Sequence, residues 1–218
     1  MLLHHLVGAN KQKNKIPVIV FTGIFLTIKI FFFILENMVT MLSGGADGAD
    51  TEWGEIASLH GHEVIHFSFD GHNTRCKNGQ IIRLPYNHLT VADPWLKKAK
   101  TYLHRQYPSK SKYVNNLLRR NYYQVKETDA VYAIGTFQPH TNIVDGGTAW
   151  ATTMYCLIHD KPFYFFHQDR NKWYEMHISG QCQEIRLPPR PETGVWTGIG
   201  TREINLNGKL AIDYLFNG

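Results

Sequence analysis

The apolar positions of this chain fall into short runs that end in glycine-containing breaks, and runs of strand length alternate with runs of helical spacing. Val39 to Leu42 is a brief apolar run that passes into Ser43-Gly44-Gly45-Ala46-Asp47-Gly48-Ala49-Asp50. A helix is predicted from Ala49 to about His60, and a second strand over Glu63 to Phe69 after the break at Gly61. Asp70-Gly71-His72-Asn73 supplies turn chemistry at its end. Residues 72–92 lack a clear period and read as a loop with a short strand at Gln80 to Leu84. Asp93-Pro94 has the form of a helix start, with Asp93 as N-cap and Pro94 at the first helical position. That helix is expected to run from Pro94 to about Gln106 and to stop at Tyr107-Pro108. A further helix, Lys112 to about Val125, places Val114, Leu117, Leu118 and Tyr122 at helical spacing.

Ala130 to Phe137 is a continuous apolar run of the kind buried on both faces of a parallel sheet. The loop Gln138 to Ile143 leads to a second glycine site, Val144-Asp145-Gly146-Gly147-Thr148, and a helix over Ala149 to His159. Pro162 to Phe166 reads as another buried strand. Lys172 to His177 reads as an additional short one after the turn at Gln168-Asp169-Arg170-Asn171. Ser179 to Pro191 is polar and proline-rich. The chain closes with a strand from Val195, a third glycine turn at 198–203 and a helix from about Leu206 to Phe216. Strands alternating with helices predict an α/β fold with a mostly parallel central sheet and right-handed crossovers. Such sheets bind ligands beyond the carboxyl ends of their strands. The three loops 43–50, 145–148 and 198–203 should all fall on that edge.

Before this domain, Ile16 to Leu35 is apolar apart from Lys29, long enough to be a membrane span or signal anchor. No small-residue cleavage site follows it. Two features count against a span. Only Glu36, Asn37 and Met38 separate it from the strand expected at the centre of the sheet. Lys11, Lys13 and Lys15 would also keep the N-terminus cytoplasmic and put the domain on the far side. The expectation is therefore a hydrophobic extension over 1–37 before a domain over 38–218, with Met38 or Met41 as a natural start. The domain is expected in the cytoplasm, with membrane anchoring through 16–35 as the alternative.

Composition narrows the class. Hydrophobic residues make up 43% of the chain and aromatics 13%, which suits a single globular domain with a substantial core. Of the net charge of +5, residues 1–37 contribute +3, so the domain itself is close to neutral. Nucleic-acid binding is not favoured by that balance. Cys76, Cys156 and Cys182 lack metal spacing and read as reduced thiols. Of twelve histidines, His60, His62 and His66 cluster most tightly. His62 and His66 would lie about 13 Å apart along a strand and have no third ligand at sensible spacing, so no zinc site is expected. The first glycine loop is neither a Walker A motif nor a dinucleotide fingerprint. A serine hydrolase is disfavoured because Gly-x-Ser-x-Gly is absent.

With the loops placed, the chain resembles the SLOG superfamily, the Rossmann-like group that includes the DprA, LOG and YpsA proteins. The resemblance rests on Ser43-Gly44-Gly45-Ala46-Asp47-Gly48-Ala49-Asp50, on Asp145-Gly146-Gly147-Thr148 and on Thr197-Gly198-Ile199-Gly200-Thr201-Arg202-Glu203, and covers about residues 39–216. In many relatives a Gly-Ile-Gly-Ser-Arg-Glu-like strand opens the domain. Here its counterpart comes last, as in the circularly permuted YpsA-like branch. The resemblance implies a circularly permuted, Rossmann-like three-layer sandwich that cradles a nucleotide or nucleotide-derived ligand. Through the permuted branch it also implies molybdate as an alternative. LOG-type phosphoribohydrolases carry a catalytic glutamate after their second glycine loop. Ala149-Trp150-Ala151 offers none, which weakens a hydrolase reading.

The candidate ligand contacts are the backbone amides of Gly44, Gly45, Gly146, Gly147 and Thr148, and the hydroxyls of Ser43, Thr148 and Thr201. Arg120 or Arg202 is expected to pair with phosphate. Asp47, Gly48, Asp145 and Gly200 complete the set. Asp50 and Glu52 are the candidate catalytic acids, with a helix cap as the plainer role for Asp50. A divalent cation arriving with the nucleotide is the cofactor the acids suggest. Trp53 and Trp150 are candidates to stack on a base, against the commoner role of core packing. A homo-oligomer is expected. Three readings remain: a nucleotide-binding or sensing module, a nucleotide hydrolase or transferase using Asp50 or Glu52, and a membrane-anchored protein.

Overall fold

The computed structural model describes residues 38–218, which form one compact unit. The expected hydrophobic extension and its span over 16–35 lie outside the described residues. Among those described, no helix is long and apolar enough to cross a membrane.

The strands are β1 (Thr40–Ser43), β2 (Glu63–Phe69), β3 (Gln80–Leu84), β4 (Ala130–Gly135), β5 (Phe163–His167), β6 (Lys172–Met176), β7 (Cys182–Ile185) and β8 (Val195–Gly200). The principal helices are α1 (Ala49–Leu59), α2 (Asp93–Leu103), α3 (Lys112–Val125), α4 (Thr148–His159) and α5 (Leu206–Asn217). The sheet order is β3-β2-β1-β8-β4-β5-β6-β7. Strands β3 through β5 are parallel to one another, and β6 and β7 add on antiparallel. The α/β class and the mostly parallel sheet are as expected from the alternation of strand and helix.

Side-chain alternation along β4 explains the layers. Val131 and Ala133 point into one core with Leu96, Leu118 and Met154 from α2, α3 and α4. Tyr132 and Ile134 point into the other, with Trp53 from α1 and Ile212 and Leu215 from α5. A strand covered by helices on both faces must be apolar at every position, which is why this run carries no polar residue. The last strand, β8, sits between β1 and β4. Connections therefore leave the centre of the sheet in both directions, and the carboxyl ends of β1, β8 and β4 open a crevice between the departing loops.

Four local expectations are corrected. Asp93 is not an N-cap. It is the first residue of α2, after a 3-10 turn at Thr90–Ala92, and its carboxylate accepts two hydrogen bonds from Arg119 at 2.7 and 2.9 Å. A bidentate arginine outcompetes a backbone N–H for that carboxylate. The helix also ends sooner than expected, at Leu103, because His104 takes a left-handed conformation with φ 51°. The polar, proline-rich segment contains β7, which pairs with β6 as an edge strand. None of its four residues is fully buried, which follows from having one open side. The loop over 72–92 holds, besides β3, one helical turn at Tyr86–Leu89.

Candidate functional site

The crevice holds a cavity of about 570 Å³. Its wall takes Ala46 and Asp50 from the first glycine loop and α1, and Gly146, Gly147 and Thr148 from the loop opening α4. Ile199, Gly200, Thr201, Arg202 and Glu203 come from the end of β8, and Arg120 and Asn121 from α3. All three loops read from the sequence thus reach one cavity.

The loops are tied to one another by backbone hydrogen bonds. Ala49 N–H donates to the Thr201 carbonyl at 2.9 Å, and Thr201 N–H donates to the Ile134 carbonyl at 2.9 Å. The first of these satisfies an otherwise orphaned donor at the start of α1. The N-cap position of α1 is Gly48, at φ 88°, with no side-chain cap. A Cβ there would come within 2.2 Å of the Arg202 carbonyl oxygen, so both the dihedral and the close approach require glycine. Asp50 consequently does not cap its own helix. Its Oδ1 accepts from Gly200 N–H at 3.3 Å, linking α1 to β8.

Arg120 is the central charge of the cavity. Its side chain is 6% exposed and lies with Nη1 3.6 Å from Asp50 Oδ2. Its Nε and Nη1 groups have no hydrogen-bond partner. Buried guanidinium donors left unpaired are costly, so their presence at a cavity wall calls for an acceptor. Gly44 makes room for this side chain: a Cβ there would fall 1.3 Å from Arg120 Nη1. Burial pushes the Asp50 carboxyl above its ordinary value. Arg120 and the backbone N–H groups of Ala46, Gly200 and Gly44 act the other way. Arg119, the neighbouring cation, points elsewhere and joins α3 to α2 through Asp93.

The remaining predicted residues are placed as follows. Ser43 is fully buried and works within its loop, accepting from Gly45 N–H and donating to the Asp50 carbonyl, both at 3.2 Å. Ser43, Gly44, Gly45 and Gly48 support the cavity from behind and do not line it. Asp47 pairs with Arg75 at 3.4 Å on the surface. Glu52 pairs with Lys209 of α5 at 2.9 Å and does not line the cavity. Asp145 pairs with Arg105 at 3.4 Å. Trp53 is a core residue between Tyr132 and Trp196. Trp150 is buried but contributes to the cavity wall. No cluster of metal-ligand type occurs among the described residues, and His66 bonds through Nε2 to the Asn78 carbonyl at 2.9 Å.

Sequence reasoning missed Arg105 and Asn121. Arg105 Nη1 donates to the Gly146 carbonyl at 2.7 Å and Nη2 to the Val144 carbonyl at 3.3 Å. Asn121 Nδ2 donates to the Gly147 carbonyl at 3.3 Å. Together they engage three carbonyls of the second glycine loop. Asn121 adjoins Arg120 on a helix with a buried polar face, Asn116, Arg120, Asn121 and Gln124, which was the signal available. Arg105 lies past the end of its helix and carries no signal in sequence.

A buried histidine sets a pH dependence of stability. His72 is buried, stacks on Phe69 and bonds through Nδ1 to Ser68 Oγ at 3.2 Å. Burial first, then Arg120 and Arg202, push its pKa down to about 4. The unfolded chain therefore binds a proton there below about pH 6.5 that the folded chain refuses until about pH 4. Stability from this group is intact above that window and is lost as pH falls through it. The expected loss is about 2–3 kcal/mol. His62, His66 and His167 are shifted in the same direction, each first by burial. Urea unfolding midpoints near neutral pH and near pH 5 should show the decline, and His72→Gln should flatten it. An unchanged slope in that variant would remove His72 from the explanation.

No protein-family model and no curated protein matches the chain. A solved structure described as a candidate molybdenum carrier protein, from Syntrophus aciditrophicus SB, matches it with a TM-score of 0.47 and 14% sequence identity. The match covers 84% of this chain and 97% of that one. A likeness at that level does not bear on what the cavity holds.

Proposed function

We propose that the domain is a binding module for a phosphate-bearing ligand of nucleotide type, held at the carboxyl edge of the sheet. The observation that carries this is Arg120, buried at the cavity wall with no hydrogen-bond partner at Nε or Nη1. A phosphate would accept from those donors and from N–H groups of the Gly146–Thr148 loop at the start of α4. Thr201 and Arg202, just past the end of β8, also line the cavity. Val114, Leu117, Leu118, Trp150 and Ile199 make the other part of its wall apolar. That apolar area suits the body of an organic ligand and gives nothing to a bare oxyanion, which favours a nucleotide over molybdate. The permuted SLOG arrangement is part of this reading. It is supported by β8, last in the chain, lying between β1 and β4.

Turnover is not favoured. α4 carries no acid in its first turn, and Glu52 is engaged by Lys209. The carboxylates on the cavity are Asp50, which faces Arg120, and Glu203. That set fits a resident divalent cation poorly.

Calorimetric titration of the full chain with adenosine monophosphate, ADP-ribose, inorganic phosphate and molybdate tests the reading. A nucleotide should bind at micromolar Kd without breakdown. Gly147→Ala should leave stability within about 0.5 kcal/mol, because nothing lies within 4 Å of its added Cβ. The same methyl, at the cavity wall, should weaken nucleotide binding about tenfold, on the scale of one imperfect contact. Silence from all four compounds, with the protein folded, would refute the proposal.

A further inference from the structure

The carboxylate beside Arg120 carries information about which anion the cavity accepts. Asp50 is 4% exposed on its side chain, its Oδ2 lies 3.6 Å from Arg120 Nη1, and both residues line the cavity. Oδ1 already accepts from Gly200 N–H. The charged groups a ligand would meet on this wall are therefore the donors of Arg120 and Oδ2 of Asp50 beside them. A fully ionised oxyanion satisfies the donors but sets its own lone pairs against the carboxylate, and like charges at that distance in a buried site are strongly unfavourable. An oxyanion that still holds a proton satisfies both.

We propose that Asp50 makes the cavity selective for oxyanions basic enough to keep a proton, namely inorganic phosphate or a phosphate monoester, over sulfate, phosphodiesters and molybdate. The phosphate O–H donates to Asp50 Oδ2 while Arg120 donates to the neighbouring oxygens, and no covalent bond is made or broken. This rests on the reading of the cavity as an anion site. Hydrogen phosphate brings its own proton. A monoester, whose second pKa is about 6, takes one up from solvent on binding. Burial pushes the Asp50 carboxyl upward, which suits it to share a proton.

His66, His72 and Cys76, which lie around this pair, keep one protonation state near pH 8. Burial, with Arg120 adding to it, lowers His66 and His72, so both are neutral there. Burial raises the Cys76 thiol, with Asp50 acting in the same direction. Tyr113 and Arg202 also face the Arg120 charge. Of the two carboxylates on the cavity, Asp50 and Glu203, Asp50 is the one that faces Arg120 and so the one placed to share a ligand proton.

The test is calorimetric titration of the full chain at about pH 8 with inorganic phosphate, sulfate and adenosine monophosphate. Phosphate should bind about a hundredfold or more tighter than sulfate, since a buried acceptor rejects a ligand lacking the matching O–H. Asp50→Asn, whose amide can donate to either ion, should bring the two within about threefold. If the monoester is the natural source, adenosine monophosphate should bind more tightly than phosphate, and about tenfold more tightly per unit fall in pH. If free phosphate is the source, it should match or exceed the nucleotide and vary little between about pH 8 and 9. Equal binding of sulfate and phosphate by the native chain, or selectivity unchanged in Asp50→Asn, would overturn the selectivity while leaving the anion site standing. Failure of all three ligands would overturn both. Should Asp50→Asn not fold, the native chain still decides. Sulfate must then draw in a proton and gain about tenfold per pH unit on acidification. A pH-independent sulfate affinity would refute the role of Asp50.

Discussion

Replacing Arg120 with methionine is expected to abolish anion binding and to cost about 3 kcal/mol of stability near pH 8, because it leaves Asp50 buried without its counter-charge. The loss should be pH-dependent, with a definite sign. A carboxyl whose folded pKa is raised binds its proton more readily in the folded chain than in the unfolded one. The penalty is therefore present at high pH and relieved as pH falls through the folded value. The double variant Arg120→Met with Asp50→Asn removes both charges. It should recover most of the stability and none of the binding, giving a coupling of about 2 kcal/mol or more in a double-mutant cycle. Urea unfolding of the four proteins at about pH 5.5 and pH 8, each compared with native protein at the same pH, measures this. An Arg120→Met protein as stable as the native chain at both pH values would show that the pair contributes nothing as an ion pair.

The second large effect is expected away from the cavity. A Cβ on Gly198 would sit 2.4 Å from Trp53 Cγ and 2.7 Å from its Cβ. Trp53 has no free direction in which to retreat: it is fully buried, with Tyr132 and Trp196 rings at 6.2 and 5.6 Å. The atoms in conflict are close to the backbone of α1, so the helix itself must move. Gly198→Ala should therefore cost about 3 kcal/mol, at the upper end of overpacking changes. Ligand affinity measured on the folded fraction should fall as well, because the displaced helix carries Asp50 at the cavity wall. Chemical denaturation of Gly198→Ala that matched the native chain would refute this account of the glycine.

That glycine shows where pattern and cause part company. The Gly198-Ile199-Gly200 turn stands out in the sequence as part of a ligand loop, and Gly200 does reach the cavity. Both glycines are nevertheless required for packing, since a Cβ on Gly200 would come 2.6 Å from Ala49 Cβ and 2.4 Å from the Ile134 carbonyl oxygen. Close approach of α1 to β8 is the physical requirement, and it serves the cavity by bringing Asp50 onto Gly200 N–H. In the same way Asp47, Glu52 and Asp145 have the chemistry of site residues, yet Arg75, Lys209 and Arg105 pair with them. Their partners lie 28, 157 and 40 positions away in the chain respectively, beyond the reach of any local pattern.

The sequence by itself determined the α/β class, the order of nearly every strand and helix, and the convergence of three glycine loops on one edge. These follow from periodicity and from the demand that a parallel sheet be apolar on both faces, and both are written locally. The edge strand β7 escaped because one open side erases its apolar pattern. Only the tertiary structure decided which of two adjacent arginines is buried at the cavity. Arg119 and Arg120 are equivalent in sequence, but one residue of helical rotation turns Arg119 to Asp93 of α2 and Arg120 to Asp50 of α1. That choice depends on how α3 packs over β2 and β1, a relation between segments distant in the chain, and it sets which charge faces the cavity.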